Sequence, residues 1–161
     1  MPRPFGKQVR LDSSEFSGVL STADDDVQKA LETVDQLDVA APPRLTFVIN
    51  GMGNVIPEES VADIIRIPGN ATPVAWTLAA DVEGDLVLDV RAADPGVQYP
   101  PAAGDSIINT GPPELSSAQY ASGAIGAGEW DPVAEGEAVR IVVLTCETIT
   151  RFTLVVELEW A

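Results

Sequence analysis

Histidine is absent from the 161 residues, and cysteine occurs once, as Cys146. Without histidine the chain has no Cys/His zinc site, no Ser-His-Asp triad and no Cys-His dyad. A single cysteine forms no disulfide within the chain, and its place in the apolar run 141–146 predicts a small buried hydrophobic residue. We therefore expect a protein that is not an enzyme, with no catalytic residue, no metal site and no cofactor.

Basic residues are also scarce. The chain has 9 Lys and Arg against 25 Asp and Glu, which gives a formal net charge of -16. Such a surface repels nucleic acid and anionic membranes over most of its area. The apolar runs are all shorter than the roughly 18 residues needed to span a membrane. We expect neither nucleic acid nor a membrane as a partner.

Segment 21–37 is the one stretch with a helical period. Ser21 or Thr22 can cap the first free amides, and three aspartates at 24–26 place negative charge at the positive end of the helix dipole. Apolar residues then recur at spacings of three and four on one face: Val27, Ala30, Leu31, Val34 and Leu37. In heptad terms Val27 and Val34 fill a positions and Ala30 and Leu37 fill d positions, which predicts a seam that closes a parallel bundle of identical chains. The alternative is a helix packed on its own domain, because two heptads fall short of the three or four that identify a coiled coil.

Residues 1–20 have a basic, proline-containing start. Arg3, Lys7 and Arg10 precede the first acid, Asp12. The composition predicts an extended arm that becomes ordered on another surface, with Arg3, Phe5, Lys7 and Arg10 as attachment residues. A disordered terminus is the alternative interpretation.

Residues 42–161 are predicted to form a mainly β domain. Pro42 and Pro43 follow segment 21–41, which is predicted to comprise the amphipathic helix and a Pro-rich connector. Short runs of β-branched and aromatic residues come next, separated by turn residues. We predict strands near 45–49, 61–67, 74–80, 86–90, 106–108 and 125–130, one or two helical turns at 115–121, and an antiparallel hairpin of 138–146 and 151–160. This pattern indicates an antiparallel, jelly-roll-like β-sandwich.

The strand pattern also sorts the large side chains. Leu86, Leu88 and Val90 alternate with a charged face that carries Asp89 and Arg91. In the last strand one apolar face is predicted to lie in the core: Phe152, Leu154, Val156, Leu158 and Trp160. Trp76 is also predicted to be inward.

Two further features are candidate ligand sites. Trp130, beside Gly128 at a loop edge, is the candidate glycan contact. Glu157 and Glu159 share a strand face, which favours solvated charges over the paired carboxylates of a glycosidase.

The run from Phe16 to Asp35, FSGVLSTADDDVQKALETVD, resembles a segment of the type ADDTVQKALETID that is found in tailed-bacteriophage fibre and virion proteins. Further blocks resemble a small β-sandwich domain of phage structural proteins: Phe47–Ile56, Trp76–Asp81, Leu86–Val90, Leu115–Gln119, Trp130 and Thr148–Leu154. These blocks are distributed along residues 16–160 in the expected order. The chain therefore resembles tail-fibre-like and minor structural proteins of phages.

The resemblance implies a non-enzymatic virion structural protein, made in the host cytoplasm and located in the particle. It implies a homotrimer, fibre-like or decorating the capsid, which the arm attaches to other capsid or tail proteins. Residues 42–161 would be displayed outward. The alternative is a receptor-binding tail-fibre module that attaches to a glycan of the host surface through loops in 92–132.

Overall fold

The computed structural model describes residues 42–62 and 64–161. The predicted arm at 1–20 and the predicted helix at 21–37 lie outside the described residues. Residues 42–161 form one compact unit. Its elements are β1 (Arg44–Asn50), β2 (Ile65–Arg66), β3 (Ala71–Ala93), a short 3-10 helix (Ala103–Asp105), β4 (Glu114–Ala124), β5 (Ala138–Glu147) and β6 (Arg151–Trp160). The prediction of a mainly β, antiparallel domain is confirmed.

The centre of the fold is a long antiparallel ladder between β3 and the continuous stretch β5–β6. The first part of β3 pairs with β6, from Ala71 opposite Trp160 to Ala80 opposite Phe152. The second part pairs with β5, beginning with Asp85 opposite Glu147. Residues 81–84 of β3 therefore face residues 148–151 without a change of register, and we call these two segments the corner.

The chain also runs along the other edge of β5–β6. β1 pairs with β6 from Arg44 opposite Glu157 to Asn50 opposite Arg151. Beyond β1, the Ile56 amide donates to the Ile149 carbonyl at 3.1 Å, and β2 pairs with the start of β5. β4 pairs with the opposite edge of β3. The result is one sheet of long antiparallel segments that all pass the corner.

The sheet folds at the corner and closes at its far ends. Ala71, which pairs with Trp160 at the end of β6, also exchanges two backbone hydrogen bonds with Val133. Ile67, only four positions earlier in the chain, accepts from the Gly136 amide next to the start of β5. These bonds bring the two ends of β5–β6 together, so the sheet forms a nearly closed barrel-like structure.

The enclosed core is filled by alternate side chains of the sheet. In β6, the four residues Phe152, Leu154, Val156 and Leu158 are each at most 1% exposed. The predicted inward face of this strand is confirmed for these residues and wrong for Trp160, which is 46% exposed. Trp160 lies at the sheet end, where its ring packs over Gly69 instead of entering the core. Trp76 is half-buried and packs against the core, as predicted.

Three predicted elements differ from the structure. The segments 138–146 and 151–160 form no hairpin, since both pair with β3. The predicted strands 74–80 and 86–90 are parts of one strand, because pairing with β5–β6 continues across the acidic, glycine-containing stretch 81–85. Residues 115–121 are strand β4, not helical turns. Alanine favours helices and is depleted in strands, so pairing with β3 overrides the local preference of this segment.

Three shorter predicted strands, at 61–67, 106–108 and 125–130, are present in part. Within 61–67 only Ile65–Arg66 is a strand, although Val61 bridges to Val142. Within 106–108 and 125–130 the structure has single bridges at Ser106, Ile108 and Trp130. These segments cover sheet edges through isolated backbone bonds, which a period-two pattern does not distinguish from full strands.

Truncating the inward face of β6 is expected to destabilise the domain strongly. Leu154→Ala removes a fully buried side chain and should lower the free energy of unfolding by about 2–5 kcal/mol. Val155→Ala, on the opposite face of the same strand and half-buried, is the matched control and should cost less. Urea unfolding of both variants provides the measurement. Equal losses at the two positions would contradict the assigned faces.

Candidate functional site

Asp81 joins the two sides of the corner through three hydrogen bonds. Its carboxylate accepts from the Thr150 hydroxyl, from the Thr150 amide at 3.2 Å and from the Arg151 amide at 3.0 Å. The hydroxyl bond from Thr150 is the main cause that lowers the pKa of Asp81 below 3.8, and the two amide bonds add to it against the opposing effect of desolvation. Asp81 thus supplies the acceptor for amides at the point where β6 begins.

Gly84 lets β3 and the β5–β6 connection come into close contact. A Cβ at Gly84 would overlap Thr148 Oγ1 and the carbonyl oxygen of Glu147. Thr148 has a φ of 68°, and its hydroxyl donates to the Glu83 carbonyl at 2.9 Å. A left-handed conformation is unusual for a β-branched residue and is held here by the surrounding contacts. The corner therefore depends on glycine at position 84.

The corner borders an acidic cleft of about 340 Å³. Its lining includes the carboxylate residues Glu83, Asp85 and Glu147, together with Ser117 of β4. One Asp85 oxygen accepts from the Ser117 amide at 2.8 Å, which fixes β4 against the cleft. The cleft has a negative potential that favours cationic side chains. Among residues 42–62 and 64–161 no group of three or more Asp, Glu, His or Cys side chains is arranged to hold a metal ion.

β4 leaves one edge of the sheet open beside this cleft. The Ile125 amide donates to the Val74 carbonyl at 2.9 Å, and Gly123 lies opposite Trp76. In an antiparallel pair the backbone groups alternate in direction, so Ala121 and Gly123 face β3. The backbone N–H groups of Tyr120, Ser122 and Ala124 point away from β3. None of these three amides has a backbone partner among the described residues.

The open edge has an unusual composition for this acidic chain. Residues 115–128 contain no charged residue and no proline. Natural proteins protect free edges with charges, prolines or bulges that prevent further strand pairing. Gly123 also packs under the Trp76 ring, where a Cβ would lie 2.9 Å from Nε1, so the ring leaves no space for a larger residue. The edge of β4 at 118–124 is therefore competent to pair with an additional strand.

A second polar group lies on the other part of β3. Arg91 Nε donates to Asp89 Oδ2 at 2.7 Å, and the Ser106 hydroxyl donates to Asp89 Oδ1 at 2.6 Å. Both charged residues are less than 9% exposed, so the predicted solvated charged face is wrong here. The segment around Ser106 contacts β3 and supplies part of the cover. Because the charges are paired and hydrogen-bonded, their burial is tolerated.

The structure places only some of the sequence-predicted site residues. The oligomerisation residues Val27, Ala30, Leu31, Val34 and Leu37 lie outside the described part, as do the attachment residues Arg3, Phe5, Lys7 and Arg10.

Trp130 is described, and it is 3% exposed with Nε1 donating to the Gly111 carbonyl at 3.3 Å. The expectation that Trp130 lies open at a loop edge is wrong, because its ring fills the core. The candidate glycan contact thereby loses the exposed ring on which it depended.

Two other sequence features are also located. Glu157 forms an ion pair with Arg44 at 3.0 Å. Glu159, two residues further along the strand, is exposed. Cys146 is half-buried and packs against the core, where burial raises the pKa of its thiol. A raised pKa favours the protonated thiol over the reactive thiolate.

The corner and the open edge were not identified from the sequence. The run Asp81-Val82-Glu83-Gly84-Asp85 interrupts an apolar alternation with acids and a glycine, which is a signal for a bend or close backbone approach. The partners of these residues come from 117 and from 148–151, so their role appears only with the pairing of distant segments.

No protein-family model, no curated protein and no solved structure matches the chain. In the described part of the chain no helix has the length and apolar character required to cross a membrane.

Adding a methyl group at the corner is expected to destabilise the fold. Gly84→Ala should lower the free energy of unfolding by about 1–3 kcal/mol, because the added Cβ overlaps backbone and hydroxyl oxygens. Gly104→Ala, where a Cβ meets nothing within 4 Å, is the matched control and should be nearly neutral. Thermal unfolding of the two variants compares them. A stable Gly84→Ala protein would show that the corner can open without cost.

Asp81 is expected to make stability depend on pH. Its pKa in the folded protein is lower than its ordinary value of 3.8, so the carboxylate stabilises the fold above that pH. The contribution is lost as pH falls through the lowered folded pKa. Asp81→Ala should therefore be less stable than the parent at neutral pH, and the difference should shrink in acid. A difference that is constant with pH, measured by urea unfolding, would contradict this role.

Proposed function

We propose that the chain is a non-enzymatic structural protein of a tailed-phage particle. In this proposal it assembles as a homotrimer through residues 21–37 and attaches to other virion proteins through residues 1–20. It displays residues 42–161 as the jelly-roll-like unit expected from the sequence, with β3 and the stretch β5–β6 shared between its two halves. The particle surface is its location, as a fibre-like or capsid-decorating component.

The observation that supports this proposal most is where the resemblance blocks lie. Phe47–Ile56 contains the second half of β1 and the start of the passage to β2. In β3, Trp76–Asp81 reaches the first residue of the corner and Leu86–Val90 follows the corner. Leu115–Gln119 lies in β4, and Thr148–Leu154 contains the corner and the start of β6. The likeness to phage proteins thus involves the residues that bend and pair the sheet. A shared folding framework is what a structural display unit requires.

The surface chemistry is compatible with display. Residues 42–161 hold 17 carboxylates against five arginines and no lysine, so neighbouring units repel one another unless a specific contact joins them. A trimer seam formed by apolar side chains at 27, 30, 34 and 37 is such a contact. High negative charge also keeps an exposed particle component from nonspecific association.

The trimer is tested by charging its proposed seam. Light scattering of the purified chain should give three times the 16.9 kDa chain mass. In a chain that lacks residues 1–20, Val34→Asp should give the mass of one chain with the β unit still folded, because the new carboxylates meet at the seam. Thr33→Asp adds the same charge on the polar face of the predicted helix and should remain trimeric. A stable dimer of the parent chain would contradict the proposal.

The virion role is tested on particles of the phage that encodes the chain. Antibody-labelled electron microscopy should place the protein on purified particles, and deletion of residues 1–20 should release it. Particles that lack the protein in the unmodified phage would contradict the proposal. If the truncated protein still binds host cells after leaving the particle, the receptor-binding alternative is favoured instead.

A further inference from the structure

We infer that, in the protein free of the particle, the open edge of β4 binds residues 1–20 of a second copy of this chain as an added antiparallel strand. The inference begins from the three backbone N–H groups at Tyr120, Ser122 and Ala124, which point away from β3 and have no backbone partner among the described residues. Strand addition at a sheet edge is a general mode of recognition, in which main-chain hydrogen bonds give affinity. The absence of charge and proline over 115–128 leaves nothing to oppose it.

The length and pattern of residues 1–20 match such an edge. From Gln8 to Asp12 the sequence alternates polar and apolar residues, with Val9 and Leu11 on one side and Gln8, Arg10 and Asp12 on the other. This period of two is that of a strand with one face packed and one face exposed. The half-buried residues Ala118 and Ala121 on the inner side of β4 provide an apolar surface for Val9 and Leu11.

Charge complementarity selects this segment over other occupants. Residues 1–11 contain Arg3, Lys7 and Arg10 and no acid, whereas the β4 edge begins at the cleft lined by Glu83, Asp85 and Glu147. The Asp81 carboxylate lies at the same corner, where the Gln119 side chain donates to the Asp81 carbonyl at 3.0 Å. A second β4 strand would bring no positive charge to this cleft. Opposite charges across an interface fix register and raise the association rate.

Binding between copies would give each chain a neighbour through exchange of these segments. Such a contact is heterologous, and it closes into a ring when the rotation between copies permits. It would therefore add to a seam at 27–37 in the proposed trimer, but it does not require that seam. The two contacts can be measured separately, because deletion of residues 1–20 removes the strand contact and leaves the seam, whereas Val34→Asp removes the seam and leaves the strand contact.

The test is hydrogen exchange of β4 amides in the full-length chain, followed by NMR. The amides of Ala121 and Gly123 face β3 and serve as internal references. If the edge is occupied, those of Tyr120, Ser122 and Ala124 should exchange at least about tenfold more slowly than in a variant that lacks residues 1–20. High salt should weaken this protection, because the leader is basic and the cleft is acidic.

A proline tests the edge itself. Ser122→Pro removes one outward N–H without removing a bond to β3, and edge strands tolerate proline at such positions. The protection of Tyr120 and Ala124 should fall about tenfold, while Ala121 and Gly123 remain protected. Ser122→Thr keeps the N–H and is the matched control, with protection unchanged.

Mixing establishes which copy supplies the segment. Isotope-labelled chain lacking residues 1–20 is combined with excess unlabelled full-length chain, and its β4 amides should regain protection. Failure to regain it, with the full-length chain protected, would assign the edge to the chain's own segment and overturn the inference. Protection that persists without residues 1–20, or that is absent from the full-length chain, would overturn it as well. None of these results depends on whether the scattering mass is that of a trimer.

Discussion

The ladder between β3 and β5–β6 is the constraint on which the rest of the structure depends. It keeps one register from Ala71 opposite Trp160 to Ala93 opposite Ala138, apart from small bulges. Residues 81–84 and 148–151 lie opposite each other, so both strands bend at the same place. The sheet therefore folds over and buries the two parts of one face against each other. Asp81 satisfies amides at the turn, and Gly84 permits the close approach. Without either residue the turn would leave unpaired polar groups or overlapping atoms.

Folding one sheet at a corner also determines which edges remain open. The passage from β1 to β2 covers one side of β5–β6 on both parts of the sheet. On the other side, β4 covers β3 but has no strand beyond it in the described part of the chain. The open edge therefore lies next to the acidic corner, and a basic segment is the complementary occupant. The proposed exchange of residues 1–20 rests on this placement, on charge and on strand pattern, whereas the proposed trimer rests on sequence resemblance.

The sequence predicted the class of the fold and much of its core, because alternation of polar and apolar residues is local. Phe152 to Leu158 alternate clearly, and their face was assigned correctly. Trp160 follows the same period but lies at the end of the sheet, where there is no opposing layer to cover it. Trp130 was assigned to the surface because glycine and proline surround it, yet its ring fills the core and its N–H finds the Gly111 carbonyl. Burial in irregular segments depends on distant partners, which local composition does not reveal.

Strand pairing was the harder problem for the same reason. The turn residues at 147–150 predicted a hairpin, since nearby strands usually pair with each other. The structure instead extends both strands along β3, and the Thr148 conformation bends the chain without reversing it. Measurement of backbone nuclear Overhauser effects between strands tests this pairing most directly. We expect cross-strand contacts of Ala79 with Thr153 and of Val87 with Thr145, and none between β5 and β6. Contacts linking β5 to β6 as a hairpin would contradict the folded ladder and the open edge that follows from it.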